Sequence, residues 1–481
     1  MKQNYFLFLL IVLSFYACVD SKENNKTSIS GEIFDPKSPF VVLLKNDETI
    51  DTVELDENNR FYYEFDDKLI KNGLYTILHD YNTHYETQMF YIEKGNALQL
   101  RLNTQEFDES LMYSGEGAVA NNFLMLLFLE SIQSNKLLLD YYKISPETFL
   151  RKADSIKEEY DDNLKSLHQK RKVSTNFKDL AGEIIDYAYF NTKERYYFLL
   201  NKYRRGVIKD LPEDFLAYRE TAEFNHKELQ KYYIYQHFLD DYLKNKAVEK
   251  CQQENKEKNC FDLQSKFNLQ ERMRLADSLF ELETLRERFL RDFSGWLIVK
   301  AKTSKEIDST LQFLTDVKFD EQEFHKINEL AKVQKRQFIG DIGDLTLTSK
   351  NGEHISISTI ADKPTVFYYW SLYYKSHHLN QHKKIKEFEK RYPEINFVGI
   401  NIDNEDLKSS EEQNNWESSI ENFGYQEFQE YQLVCPPEQR IFYRNYLNKA
   451  VFVDTDGKIV EGDLNVQDSS FEEEILGLLN R

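Results

Sequence analysis

The sequence is poor in cysteine, proline, glycine and tryptophan, which number 4, 8, 16 and 3 among its 481 residues. So few chain-breaking residues, combined with 35 Phe and 31 Tyr, exclude a long disordered or low-complexity chain. The composition instead predicts packed helices and strands, and the length leaves room for roughly two to four domains.

Basic residues are not in excess, because 62 Lys and Arg stand against 82 Asp and Glu, for a formal charge of −20. Such an acidic surface repels phosphate backbones, so nucleic acid is not expected as a partner. The sequence contains no HExxH, P-loop, GxSxG or dinucleotide-binding glycine pattern, so no cofactor is predicted. Beyond residue 16, no apolar stretch is long enough to cross a bilayer.

The N-terminus carries one positive charge, Lys2, followed by an apolar run over residues 5–16. A run of 12 residues is too short for a membrane-spanning helix, but its length is typical of the apolar core of a secretory signal peptide. The sequence therefore predicts a signal peptide over residues 1–17 and export to the cell envelope.

A cysteine, Cys18, follows the apolar core directly and is preceded by the small residue Ala17. This pattern resembles the lipobox of bacterial lipoproteins, with Phe15 at a position usually occupied by Leu. The resemblance implies that Cys18 becomes an acylated first residue, that residues 18–27 form a lipidated linker, and that the membrane is contacted only through the lipid anchor. An ordinary signal peptide ending in a chance cysteine stays open as an alternative.

Short segments rich in β-branched and aromatic residues follow, separated by turn signals such as residues 35–39 and 56–59. Six or seven strands at this spacing predict a small antiparallel β-sandwich over residues 28–115. Helical periodicity then takes over, with apolar residues every three or four positions from Phe149 to Leu167. It predicts a helical region over residues 116–337.

Two cysteines, Cys251 and Cys260, flank a polar loop inside this helical region. In an oxidising compartment, cysteines this close are expected to form a disulfide. A zinc site would need two more soft ligands nearby, and the local sequence offers neither a CxxC nor a His pair. We therefore predict a structural disulfide.

The last block, residues 338–481, carries the most specific pattern. It reads as a hairpin, a buried strand ending at Trp370, a polar helix, a second buried strand ending at Asp403, a hairpin with the turn 454–458, and a final helix. This order resembles the thioredoxin fold of TlpA-type envelope disulfide reductases. The whole layout resembles a group of Bacteroidetes envelope lipoproteins with a β-domain and a helical insert ahead of a TlpA-like domain, and residues 113–122 match the junction expected there. The expected fold class is a multidomain α+β protein.

The resemblance implies thiols at positions i and i+3 at the start of the polar helix, where the helix N-terminus would activate the first. Tyr374 and His377 occupy these positions. The resemblance also implies a cis-proline six residues before Asp454, and Asn448 stands there instead. Neither half of the catalytic apparatus is present, so no catalytic residue is predicted.

Three functions therefore remain from the sequence. The favoured one is a redox-inactive binding or scaffold module for an envelope protein or peptide, which would use the groove around Tyr374, His377 and Asn448. The second is a divergent thiol-disulfide oxidoreductase or peroxidase that works through Cys435, the candidate thiol left after lipidation and disulfide formation. The third is metal handling by the histidines at 377, 378 and 382, although solvated histidines are commoner and no metal site is predicted.

Overall fold

The computed structural model describes residues 26–46, 48–79, 86–106, 110–254, 259–338, 340, 342, 345–360, 363–403 and 416–479. The predicted signal peptide, Cys18 and most of the predicted linker lie outside these residues. The chain divides into two compact units, residues 1–249 and 250–481, so the predicted helical region is shared between them. Within the described part of the chain, no helix is both long and apolar enough to span a membrane.

The first unit begins with two four-stranded sheets among the described residues, in the orders β4-β1-β7-β8 and β3-β2-β5-β6. Their strands are β1 Ser28–Phe34, β2 Phe40–Lys45, β3 Glu48–Glu54, β4 Arg60–Glu64, β5 Gly73–His79, β6 Glu86–Ile92, β7 Ala97–Asn103 and β8 Met112–Gly115. Alternate residues of both sheets share one core, including Ile33, Leu43, Phe90 and Leu100, as a sandwich requires. The predicted all-antiparallel pairing needs one correction, because β1 and β7 run parallel.

Helices follow the sandwich: α1 Ala118–Tyr141, α2 Pro146–Gln169, α3 Thr175–Tyr203, the single turn α4 Tyr218–Thr221 and α5 Tyr233–Glu254. Helix α2 begins with an N-cap, in which Ser145 Oγ accepts a hydrogen bond from Thr148 N, and Pro146 stands in the first turn. Phe149 stacks on Tyr196 of α3 at a centroid distance of 3.7 Å in a shared aromatic core. The predicted apolar stripe is therefore partly buried, although Ile156 stays 39% exposed.

The second unit opens with α6 Lys266–Leu279, α7 Glu283–Lys300, α8 Ser304–Asp316 and α9 Glu321–Lys335. Just before α6, Cys251 and Cys260 form the predicted disulfide, with their Cα atoms 5.6 Å apart. Both half-cystines are buried.

Loss of this disulfide, by Cys251→Ser with Cys260→Ser, is expected to lower the free energy of unfolding of the second unit by about 2–3 kcal/mol, because the bridge restricts the unfolded chain. Urea unfolding followed by tryptophan fluorescence measures this, since Trp296, Trp370 and Trp416 all lie in this unit. A midpoint identical to that of the parent protein would show that the bridge contributes nothing.

The rest of the second unit is built on a seven-stranded sheet of the described residues, in the order β10-β9-β13-β12-β11-β14-β15. Its strands are β9 Thr346–Ser349, β10 His354–Ser356, β11 Thr365–Trp370, β12 Asn396–Asn401, β13 Gln429–Val434, β14 Ala450–Val453 and β15 Ile459–Leu464. Its helices are α10 Lys375–Arg391, α11 Trp416–Asn422, α12 Pro437–Arg440 and α13 Phe471–Leu479. The predicted order of elements is present, and β13, α11 and the single-turn α12 are additions that the sequence pattern does not predict.

Strands β11, β12 and β13 are parallel, and β14 runs antiparallel to β11. All six residues of β11 are buried, because both faces of the sheet are covered. Phe367 and Tyr369 contribute to the core on one face, whereas Tyr368 and Trp370 join the core on the other face together with Ile385 of α10.

Candidate functional site

The candidate site lies where β11 ends and α10 begins. The carboxyl ends of the parallel strands β11, β12 and β13 meet at this edge of the sheet, which is where open α/β sheets present ligand sites. The connection from Ser371 to Tyr374 is short, and Tyr374 N donates to Ser371 O at 3.2 Å. It places residues 374–377 at the start of α10, as the resemblance to thioredoxin-like proteins implies.

A buried carboxylate, Asp403 after β12, holds this connection in place. Its oxygens accept hydrogen bonds from Ser371 Oγ at 2.6 Å, from Leu372 N at 2.7 Å and from Asn401 Nδ2 at 2.9 Å. Burial raises the pKa of Asp403, and the three donors oppose that shift. Asp403 therefore holds the backbone of this connection in place, and the exposed side chains of Tyr373 and Tyr374 are carried on that backbone.

Tyr374 and His377, which stand at the two positions where thiols are expected from the resemblance, differ in their surroundings. Tyr374 is 43% exposed and its neighbour Tyr373 is 45% exposed, whereas His377 is half-buried. Asn448 lies beside the His377 ring at a geometry that falls short of a hydrogen bond, and burial lowers the pKa of His377. The structure thus brings His377 and Asn448 together. The described part of the chain contains no cis peptide bond, so Asn448 follows a trans peptide.

Cys435 lies at the same edge of the sheet but not at the dithiol position. It follows β13, which is two strand spacings, or about 10 Å, from β11. Its half-buried thiol packs against the core that contains Leu433 and Tyr443, on the sheet face opposite α10. A role for Cys435 in place of the missing dithiol stays a hypothesis.

The histidines of α10 differ from the sequence expectation of solvated side chains. His378 and His382 are buried, with 0% and 2% exposure. Nδ1 of His378 lies 2.8 Å from Tyr425 Oη, and the His382 ring stacks on Tyr425 at a centroid distance of 3.6 Å. Among the described residues, no group of three or more His, Cys, Asp or Glu side chains is arranged to hold a metal ion.

A buried carboxylate on β13, Glu430, is the centre of this cluster. It accepts hydrogen bonds from Tyr368 Oη at 2.8 Å and Trp370 Nε1 at 2.6 Å, and its Oε1 lies 3.1 Å from His382 Nε2. Gly399 on β12 leaves the space that the Glu430 side chain occupies, because a Cβ atom at position 399 would lie 2.3 Å from the Glu430 oxygens. The only sequence signal for this cluster was the neighbouring Tyr368 and Trp370, and β13 itself was not predicted.

The hydrogen bonds of His382 fix the protonation of this pair. Its Nδ1 lies 2.8 Å from the carbonyl oxygen of His378 and must therefore donate. A neutral ring would then present an unprotonated Nε2 to Glu430, which has no proton either when ionised. The contact between Nε2 and Oε1 therefore requires one further proton on the His382–Glu430 pair.

A half-buried carboxyl on the same helix, Glu389, adds a pH dependence. Burial, followed by the charge of Glu430, raises the pKa of Glu389 to about 7, while His382 and Lys386 oppose the shift and Glu427 adds to it. In the unfolded chain a Glu titrates near a pKa of about 4.3. The protonated form is thus favoured in the folded state, and this stabilisation is lost as the pH rises through about 7.

The expected result is that the difference in free energy of unfolding between the parent and Glu389→Gln falls between about pH 5 and pH 8, because the variant lacks the group whose pKa is raised. Urea unfolding at a series of pH values, followed by tryptophan fluorescence, measures both slopes. Glu387→Gln, an exposed change on the same helix, is the control and should keep the parent slope. Equal slopes for parent and Glu389→Gln would contradict the assignment.

No protein-family model and no curated protein sequence matches the chain. Solved structures that resemble part of it include a thiol-disulfide oxidoreductase from Bacteroides fragilis, at 14% identity over 29% of this chain and 98% of that one, with a TM-score of 0.22. The thioredoxin domain of a thiol-disulfide oxidoreductase from Bacteroides vulgatus is similar at 15% identity over 28% and 92%, with a TM-score of 0.21. A SCO1/SenC family lipoprotein from Bacillus anthracis is similar at 15% identity over 30% and 95%, with a TM-score of 0.24. The resemblance of residues 338–481 to the thioredoxin fold rests on their own sheet, in which β11, β12 and β13 are parallel and β14 is antiparallel to β11.

Proposed function

We propose that this protein is a cell-envelope lipoprotein, exported by its signal peptide and anchored through Cys18, whose thioredoxin-like domain binds an extended polypeptide without redox chemistry. The observation that carries the proposal is which residues occupy the two positions where a thioredoxin-like reductase has its thiols. The connection is anchored by Asp403, yet the two dithiol positions hold Tyr374 at its end and His377 in the first turn of α10, and neither residue can exchange disulfides.

The exposed aromatic pair supports binding as the function of this edge. Tyr373 and Tyr374 present large, amphipathic rings on a connection whose backbone is already ordered. Tyrosine is enriched among the residues that dominate binding energies, and ordering the connection before binding reduces the entropy cost. The half-buried His377, with Asn448 next to it, adds polar groups one helical turn after Tyr374.

A reductase assay tests the absence of redox chemistry. The full chain, purified in detergent, is incubated with insulin and dithiothreitol beside a Cys435→Ser variant. Both proteins are expected to leave the rate of insulin reduction at the level without protein. Turnover that disappears in Cys435→Ser would overturn the proposal and would assign the protein to the thiol-disulfide oxidoreductases.

A peptide selection tests the binding. Random decapeptides displayed on phage are selected on the full chain, and the Kd of each selected peptide is measured for parent and variants. Tyr374→Ser is expected to raise the Kd roughly tenfold or more, as loss of a central aromatic anchor does. The control Tyr62→Ser removes a tyrosine that is 60% exposed on the first unit and should leave the Kd unchanged. Equal effects of the two variants would reject this site.

A further inference from the structure

Helix α10, which begins at the candidate site, differs in charge from the rest of the chain. Its 17 residues contain six Lys or Arg and two Glu, a net charge of +4, in a chain with a net charge of −20. At 100° per residue, Lys375, Leu379, Lys383, Lys386 and Lys390 fall within an arc of about 80°. All five are exposed, and we call them the lysine stripe.

The lysine stripe does little for the stability of its own helix. Lys375 stands in the first turn, where the helix dipole disfavours a cation. Lys386 has like charges three residues before it and four residues after it, which repel it. Its ion pair with Glu427 is between exposed side chains, and Lys375, Lys383 and Lys390 form no ion pair with any described residue. Lys390 stands in the last turn, where the helix dipole favours a cation, so helix stability accounts for Lys390 but not for Lys375.

The dimensions of the lysine stripe fit an extended polypeptide. From Lys375 to Lys390 the helix rises about 22 Å, which equals about seven residues of extended chain. The stripe starts beside Tyr374 and includes one apolar side chain, Leu379, which is 38% exposed. An acidic segment with an apolar end would thus meet opposite charge along its length and an aromatic pair at one end.

We propose that the lysine stripe binds an acidic, extended segment of a partner protein, with Tyr374 contacting its apolar end. This inference rests on the proposed function and specifies its partner. An acidic peptide suits the site better than an anionic membrane surface. The chain has a net charge of −20, so an anionic membrane repels the parts of the protein that come within a Debye length of it, about 8 Å at physiological salt. A peptide can follow one helix face.

Fluorescence anisotropy with the full chain in detergent tests the proposal. The probes are a fluorescein-labelled peptide of seven glutamates ending in phenylalanine and its counterpart with seven glutamines. The glutamate peptide is expected to bind more tightly and to weaken with salt. Replacing the three lysines of the stripe that form no ion pair with a described residue, in Lys375→Gln with Lys383→Gln and Lys390→Gln, is expected to raise the Kd of the glutamate peptide roughly tenfold.

A matched variant tests whether binding depends on the lysines of the stripe or only on the net charge of the protein. Lys165→Gln with Lys170→Gln and Lys305→Gln removes the same charge from exposed positions outside α10 and should leave the Kd within about twofold. Equal effects of the two triple variants would overturn the proposal. So would stripe-dependent binding to phosphatidylglycerol vesicles without binding of the glutamate peptide. If selected peptides depend on Tyr374 but not on the stripe, the binding module stands and the acidic partner is rejected.

Discussion

Replacing Glu430 with alanine is expected to lower the free energy of unfolding of the second unit by about 3–5 kcal/mol, the usual cost of removing one partner from a buried pair of ionisable groups. The side chain of Glu430 is fully buried and accepts from Tyr368 and Trp370. Alanine would leave both donors and the His382 ring without their acceptor in a buried core. The same change would leave a cavity beside Gly399.

Urea unfolding followed by tryptophan fluorescence measures this effect, and Trp370 reports from within the cluster itself. Glu430→Gln keeps the shape of the side chain and one acceptor oxygen, but its NH₂ group faces a donor in place of the second oxygen. The expected loss in the free energy of unfolding is therefore smaller, about 1–3 kcal/mol. The control Glu427→Ala removes an exposed carboxylate three residues earlier and is expected to cost less than about 1 kcal/mol. A loss below 1 kcal/mol for Glu430→Ala would show that the cluster does not stabilise the fold.

The elements at the candidate site could be predicted because their local patterns are strong. Residues 365–370 form a continuous apolar run, which is typical of a parallel strand covered on both faces. The following polar helix and the turn 454–458 carry equally clear signals. Positions i and i+3 at the helix start follow directly, so Tyr374 and His377 could be named from the sequence.

Strand β13 and the buried cluster could not be predicted in this way. Half of β13 is polar, and Glu430 and Gln432 point inward although they read as surface residues. Glu430 is satisfied by Tyr368 and His382, which are 62 and 48 residues away in sequence. A hydrophobic pattern records local periodicity, not such distant partners, so a buried carboxylate is invisible to it. The prediction that His378 and His382 are solvated is wrong for the same reason, because their partner Tyr425 is also distant in sequence.

The junction between sandwich and helix shows what a short motif contributes. Asn121 and Asn122 in α1 each bind the backbone of one edge strand with a side-chain amide. Asn121 Oδ1 accepts from Tyr91 N of β6 at 2.7 Å, and its Nδ2 donates to Tyr91 O at 2.8 Å. Asn122 makes the equivalent pair with Tyr113 of β8 at 3.1 and 2.9 Å. The two amides thus join α1 to both sheets of the sandwich and pair with one residue on one edge strand of each sheet.

Asn121→Ala is accordingly expected to lower the free energy of unfolding of the first unit by about 2–4 kcal/mol. Asn121 is 1% exposed and Tyr91 is 3% exposed, so the backbone N–H and C=O of Tyr91 would be left unpaired in the core. Hydrogen exchange of the peptide that spans 86–92, measured by mass spectrometry, should accelerate in the variant, because β6 loses its contact with α1. Gln99→Ala, an exposed change on β7, is the control for this unit. Unchanged protection of 86–92 in Asn121→Ala would mean that the apolar contacts of α1 alone hold the edge strand in place.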